Sequence, residues 1–186
     1  SLFGSNFLFL SESGYFDSAA LVKPLLHTWS LAIEEQFYIF FPIILWLIRS
    51  LSKNKILSTL CLLALASFTF NILYIYHFDD QESAFYMLIT RAWELLVGSI
   101  LVFAPKGKVK KQNALAWCGV LLIILAMFLP ADLEKFPGLF AILPTMGTAI
   151  LLYSGSNFES RAKPHALLSH RHCVFIGKIS YSLYLW

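Results

Sequence analysis

Four charged side chains stand within or directly against apolar stretches of this chain: Glu34, Glu35, Arg91 and Glu94. A charge at the centre of a membrane helix costs at least about 2.5–3.5 kcal/mol, so such residues are candidates for a functional site. Arg91 and Glu94 lie in the apolar stretch 85–103. At spacing i, i+3 they share one helical face and can pair. Two readings stand side by side: a structural ion pair tying helices together, or a pair facing a polar cavity and binding substrate.

The second cluster reads PLLHTWSLAIEEQFY over residues 24–38. A helix starting near Pro24, where proline suits the first turn, lays His27, Glu34 and Tyr38 along one stripe. Glu35 also reaches Tyr38 at i, i+3. Glu34, Glu35 and Gln36 abut the apolar run 37–47, close to membrane depth. Adjacent carboxylates at a cavity mouth can act as a general base or acid, or can orient a histidine from another helix. His27, Glu34 and Glu35 are therefore the catalytic candidates, with Trp29 and Tyr38 as substrate contacts. The competing reading is an interfacial entry segment, with Trp29 among the headgroups and both carboxylates in water.

A third cluster, FIGKISYSLYLW, spans residues 175–186. Ser180 and Tyr181 offer hydroxyls to a substrate. Ser180 has no base near it in sequence, which argues against a nucleophile. Gly177 and Ser180, small residues at i, i+3, favour close helix packing.

The elements holding these residues must be membrane helices. Of 186 residues, 58% are hydrophobic and only 13% charged, and the mean hydropathy is +0.69. A soluble domain has roughly a quarter of its residues charged. So much apolar surface points to lipid as the solvent and to an all-α, polytopic helical bundle. Spans are expected at 36–48 (with the turns before it), 56–76, 85–103, 114–129 and 139–153, with an incomplete sixth from about residue 173. Segment 1–35 is expected to be an outer loop and entry segment, and 1–186 a single membrane-embedded domain.

Eleven of the 14 basic residues fall on one set of alternate loops and flanks: Arg49, Lys53, Lys55, Lys106, Lys108, Lys110, Lys111, Arg161, Lys163, Arg171 and Lys178. The positive-inside rule makes that face cytoplasmic and places segment 1–35 outside. The net charge of +3 is spread along the chain, which excludes a nucleic-acid surface. Cys61, Cys118 and Cys173 match no zinc or disulfide spacing and read as small apolar fillers. The histidine-containing stretch 154–172, with His165, His170 and His172, reads as a solvated basic loop. No metal site is expected.

Taken together, the three clusters resemble the acyltransferase-3 family of membrane acyltransferases. Tyr15-Phe16 followed by residues 24–38, RAWELLVGSIL over 91–101, and FIGKISYSLYLW over 175–186 appear in the family's order. The resemblance implies transfer of an acyl group, usually acetyl, from cytoplasmic acyl-CoA to a hydroxyl of an extracytoplasmic glycan or lipid-linked sugar. It implies a bacterial inner membrane and no permanently bound cofactor, with acetyl-CoA as donor substrate. The carboxylates would assist a histidine base on the family's early helices, while Arg91 and Glu94 shape the cavity. Those early helices are missing here, so the chain alone is expected to be inactive. The alternative is a non-enzymatic membrane protein, a solute permease or sensor. A permease would show inverted repeats and matched Gly/Pro-broken helices, and none is visible.

Overall fold

The computed structural model describes residues 2–11, 27–104, 112–129, 135–155 and 162–185. Tyr15, Phe16, Pro24, Asp132, Glu134, Arg161, Trp186 and the lysines at 106–111 lie outside the described residues, so a helix start at Pro24 goes untested. The described residues are helical, with no strand among them. The helices are α1 (Ser5–Ser11), α2 (Thr28–Ile48), α3 (Lys53–Tyr76), α4 (Gln81–Tyr86), α5 (Leu88–Phe103), α6 (Gln112–Phe128), α7 (Ile142–Gly155), α8 (Lys163–Leu168) and α9 (Arg171–Leu185). The chain divides into two compact units, Ser1–Phe103 with Asp132–Leu139, and Ala104–Ala131 with Phe140–Trp186.

The first unit holds the long helices. At 1.5 Å per residue, α2 with 21 residues and α3 with 24 run about 32 and 36 Å, enough to cross a hydrocarbon core of about 30 Å. Gln81–Phe103 forms a third apolar stretch of 23 residues. Apolar side chains face outward as well as inward: Leu62, Leu65 and Phe70 of α3 are exposed, while Leu60 and Ile75 are buried. Lipid accounts for the outward set. Inside, Phe37, Leu60 and Leu96 knit α2, α3 and α5 together, with Phe41 stacked on Phe37 at 4.9 Å.

The stretch expected as one helix over 85–103 is broken. Asp80 caps α4 by accepting from the Ser83 N–H at 2.9 Å. The short helix ends at Met87, which is extended (φ −86°, ψ 140°), and α5 begins at the next residue. No proline or glycine marks the break. It is stabilised locally and from outside: the Thr90 hydroxyl of α5 donates to the Met87 carbonyl at 2.8 Å, and Asn6 of α1 donates to the Tyr86 carbonyl at 3.0 Å. Farther along, the Ser67 hydroxyl of α3 donates to the Ile89 carbonyl at 2.6 Å and accepts the Trp93 N–H at 3.0 Å. One side chain thus bridges two backbone groups four residues apart on α5.

In the second unit α6 packs on α7 through bare backbone. A methyl on Gly119 would sit 2.7 Å from the Gly147 carbonyl oxygen, and one on Gly147 2.9 Å from that of Gly119. Only glycine permits this approach from both sides. The apolar stretches Gln112–Phe128 and Leu139–Gly155 are shorter than the three in the first unit. Of the five expected spans, the first three correspond to long apolar stretches and the last two, over 114–129 and 139–153, to short ones among the described residues. Together they make the chain a multi-pass membrane protein.

Three local expectations are also corrected. The cysteines are exposed and free, so they fill no core; their apolar surroundings are an outer helix surface. Nothing lies within 4 Å of a methyl placed on Gly177, and the Ser180 hydroxyl donates to the Gly177 carbonyl of its own helix at 2.8 Å. That pair packs against no neighbour among the described residues. Finally, His165 belongs to α8 rather than a loop, with Nε2 3.0 Å from the buried Ser154 hydroxyl. That hydroxyl also donates to the Leu151 carbonyl at 2.8 Å, so the imidazole serves as donor. No group of three metal-ligating side chains occurs among the described residues.

Candidate functional site

The break at Met87 places Arg91 on the first turn of α5, and local helix geometry does the rest. Its guanidinium grips Glu94 of the same helix bidentately, Nε to Oε1 at 3.2 Å and Nη2 to Oε2 at 2.8 Å. Both side chains are largely covered, at 16% and 24% exposure. The paired geometry predicted from i, i+3 spacing is therefore present. In a low-dielectric setting such a fork is stronger and better oriented than a single contact.

The guanidinium also faces an aromatic wall. Its carbon lies 5.2 Å from the Trp29 ring centroid and 5.5 Å from that of Phe85. Trp29 is held in turn by Phe85 at 4.3 Å and, edge to face, by Tyr86 at 5.6 Å. Phe9 of α1 and Phe136 close the same cluster. The first turn of α2 and the α4–α5 junction are thus fastened through rings. Arg91 is fixed on both faces, by charge and by cation–π attraction.

An open cleft of about 150 Å³ lies beside this pair, lined by Trp29, Ser30, Ile33, Glu34, Arg91, Glu94 and Leu95. Trp29, Ser30, Ile33 and Glu34 fall at i, i+1, i+4 and i+5, one face of α2; Arg91, Glu94 and Leu95 present the facing turn of α5. Glu34 carries no ion pair among the described residues, so the cleft holds one carboxylate beyond the Arg91–Glu94 pair. Glu35 sits one position round the helix, and its Oε2 is buried without a hydrogen-bond partner. A buried carboxylate oxygen left bare is costly.

The sequence-derived candidates therefore separate. Glu34, Arg91, Glu94 and Trp29 converge on one cleft. Glu35 lies next to that cleft with its bare oxygen, and His27 stands just before α2, outside the lining. Tyr38 points away and is 64% exposed. Ser180 and Tyr181 lie on α9 in the second unit, exposed, and are not among the lining residues.

Sequence reading missed the residues that hold the cleft together. Ser67 and Asn71, polar within an apolar helix, carried a usable signal. Asn6 carried none. It is fully buried, and its Oδ1 accepts from Gln36 Nε2 at 3.0 Å.

Comparison with known proteins settles the class. The acyltransferase-domain model of the acyltransferase-3 family matches residues 2–186, and the chain belongs to that family. Over 196 residues it is 31% identical to the O-acetyltransferase OatA of Staphylococcus aureus, an alignment covering 98% of this chain and 32% of that protein. It is also 35% identical over 171 residues to an uncharacterized protein of Haemophilus influenzae, covering 86% of this chain and 70% of that one. The chain thus spans about a third of the length of the curated O-acetyltransferase it matches. No solved structure matches it.

Proposed function

We propose that this chain forms part of the membrane domain of an O-acyltransferase that moves an acyl group, acetyl by family analogy, onto a hydroxyl of a cell-envelope glycan. The observation carrying the proposal is the cleft in which Arg91, Glu94, Glu34 and Trp29 converge in a chain of the acyltransferase-3 family. The relative named O-acetyltransferase supports acetyl as the group.

The chemistry follows from charge placement. The sugar enters the cleft with a neighbouring hydroxyl donating to Glu34 and its ring along Trp29, which leaves the acceptor hydroxyl's proton for the base. As the hydroxyl oxygen attacks the acyl carbon, its proton passes to a base and negative charge develops on the acyl oxygen. Collapse then breaks the thioester C–S bond and releases the thiolate of an acyl-CoA donor. Arg91, already fixed by Glu94, stabilises the developing charge without reorganising. Glu35 supplies its bare oxygen to orient the base, a histidine on helices outside this chain by family resemblance.

In this reading the lysine-rich loops face the cytoplasm and attract the phosphates of acyl-CoA. Helix α2 then runs inward from Trp29 to Trp46. These tryptophans are 17 residues and about 26 Å apart, close to the hydrocarbon thickness, and Arg49 lies 4.6 Å over the Trp46 ring at the inner end. Glu34 sits on the outer part of the helix, where a glycan arrives in the bacterial inner membrane.

The test uses the full-length protein in membranes supplied with labelled acetyl-CoA, reading acyl groups on envelope glycan. Wild type should transfer, and Glu35→Gln and Arg91→Ala should transfer about 100-fold more slowly while staying measurable. Full transfer by both variants removes these residues from the mechanism, and no transfer by wild type removes the activity.

A further inference from the structure

We propose that Asn6 and Gln36 are positioning residues for this reaction, forming an amide relay that sets the carboxylate-bearing turn of α2 against the Arg91 turn of α5. The inference rests on the acyl-transfer reading and adds to it two residues that line no part of the cleft and join α1 to α2 through each other.

The relay starts at the helix break. Met87 is extended, and the Tyr86 carbonyl stands at the end of α4. Asn6 Nδ2 takes it at 3.0 Å, across 80 residues of sequence. Asn6 Oδ1 is then left to accept from Gln36 Nε2 at 3.0 Å, and the second proton of that amide goes to the Phe3 carbonyl at 2.9 Å. Ser5 adds a hydrogen bond from its hydroxyl to the Thr28 carbonyl at 3.1 Å. Helix α1 is only seven residues long, yet it joins the start of α2 to the α4–α5 junction.

The two ends of the relay sit where placement matters. Gln36 follows Glu35 directly and lies two residues from Glu34. Tyr86 adjoins Phe85, and both rings brace Trp29 beside Arg91. The bare Glu35 oxygen needs such a tether, because an unpartnered buried carboxylate favours any movement that brings it to a donor or to water. Two neutral amides hold it without adding a charge that would compete for Arg91. Displacement of a catalytic group by about 1 Å costs up to about 100-fold in rate.

The experiment measures steady-state transfer by the full-length protein in membranes, normalised to its abundance. Gln36→Leu and Asn6→Ala should each lower kcat about tenfold, with the acceptor KM changed less than about twofold. Gln36→Leu added to Glu35→Gln should cost less than about a further twofold, since a residue acting through Glu35 has nothing left to position. Losses that multiply, or unchanged kcat in both single variants, overturn the proposal. Where buried Asn6→Ala fails to accumulate, Gln36→Leu at a partly exposed site decides. A second readout needs no catalysis: a cysteine replacing Ser30, in a background without native cysteines, is alkylated by a small reagent. Its rate should change at least about threefold when Gln36→Leu is added. An unchanged rate overturns the relay, whereas an inactive wild type overturns only the acyl-transfer reading.

Discussion

Helices α3 and α5 of the first unit and α6 and α7 of the second are both closely packed, by opposite chemistry. Ser67 inserts a hydroxyl between two backbone groups of α5, and that helix starts at a break closed by borrowed donors. Between α6 and α7, Gly119 and Gly147 lay carbonyl against Cα with no side chain between them. Lipid supplies little hydrophobic drive for helix association, so either solution must come from packing or hydrogen bonds. The glycine crossing is cheap and featureless. The polar junction costs burial of Asn6, Thr90 and an ion pair, and it creates a place where charge is held ready. On the acyl-transfer reading proposed above, the polar junction carries the chemistry and the glycine crossing serves as scaffold.

Four substitutions sharpen or break that contrast. The largest effect is expected from Arg91→Ala, which removes the fixed cation and leaves Glu94 unpaired at partial burial. Acyl transfer by the full-length protein should fall about 100-fold or more at equal membrane abundance, and a fall under twofold would show the pair to be structural only. Next comes Gly147→Ala. Its methyl would meet the Gly119 carbonyl oxygen at 2.9 Å, so α6 and α7 must separate. A cost of about 1–3 kcal/mol is expected, read as a lower thermal midpoint of detergent-solubilised protein with unchanged activity per folded molecule. Activity lost faster than fold would show that the second unit is more than scaffold.

A smaller effect is expected for Ser67→Ala, because the Ile89 carbonyl and Trp93 N–H are i, i+4 backbone groups of one helix and pair with each other in any α-helix. About 0.6 kcal/mol is the typical scale for one such bond in a membrane, and the thermal midpoint checks it; a loss several times larger would mean that Ser67 is what holds α5 in place. Smallest of all, Ser180→Ala should leave transfer within about twofold, since its hydroxyl is spent on its own helix. Abolished transfer in that variant would move chemistry into the second unit and undo the comparison.

Much of this could be read before any coordinates. Low charge and long apolar runs set the membrane class; two runs became helices of spanning length, and a third, Gln81–Phe103, is a long apolar stretch broken at Met87. The Arg91–Glu94 pair was legible because i, i+3 spacing brings two side chains together on any helix. Glu34 and Trp29 were singled out by type and by position against an apolar run. Other features were not legible. Tyr38 follows the stripe of His27 and Glu34 on paper, yet it is exposed and lines no part of the cleft. Gly177 and Ser180 looked like a packing pair, yet nothing packs there among the described residues.

The sequence by itself determined the solvent of this protein, the multi-pass helical class and the pairing of one arginine with one glutamate. Those properties depend on composition and on contacts within a turn or two. Tertiary structure alone decided that the helix over 81–103 breaks at Met87, that Asn6 reaches the Tyr86 carbonyl, and that Glu34 faces Arg91 across a cleft while Glu35 keeps a bare oxygen. These depend on where groups distant in sequence meet. A carbonyl at a helix end in an apolar setting accepts from whichever donor the fold brings to about 3 Å, and no local periodicity records which one that is.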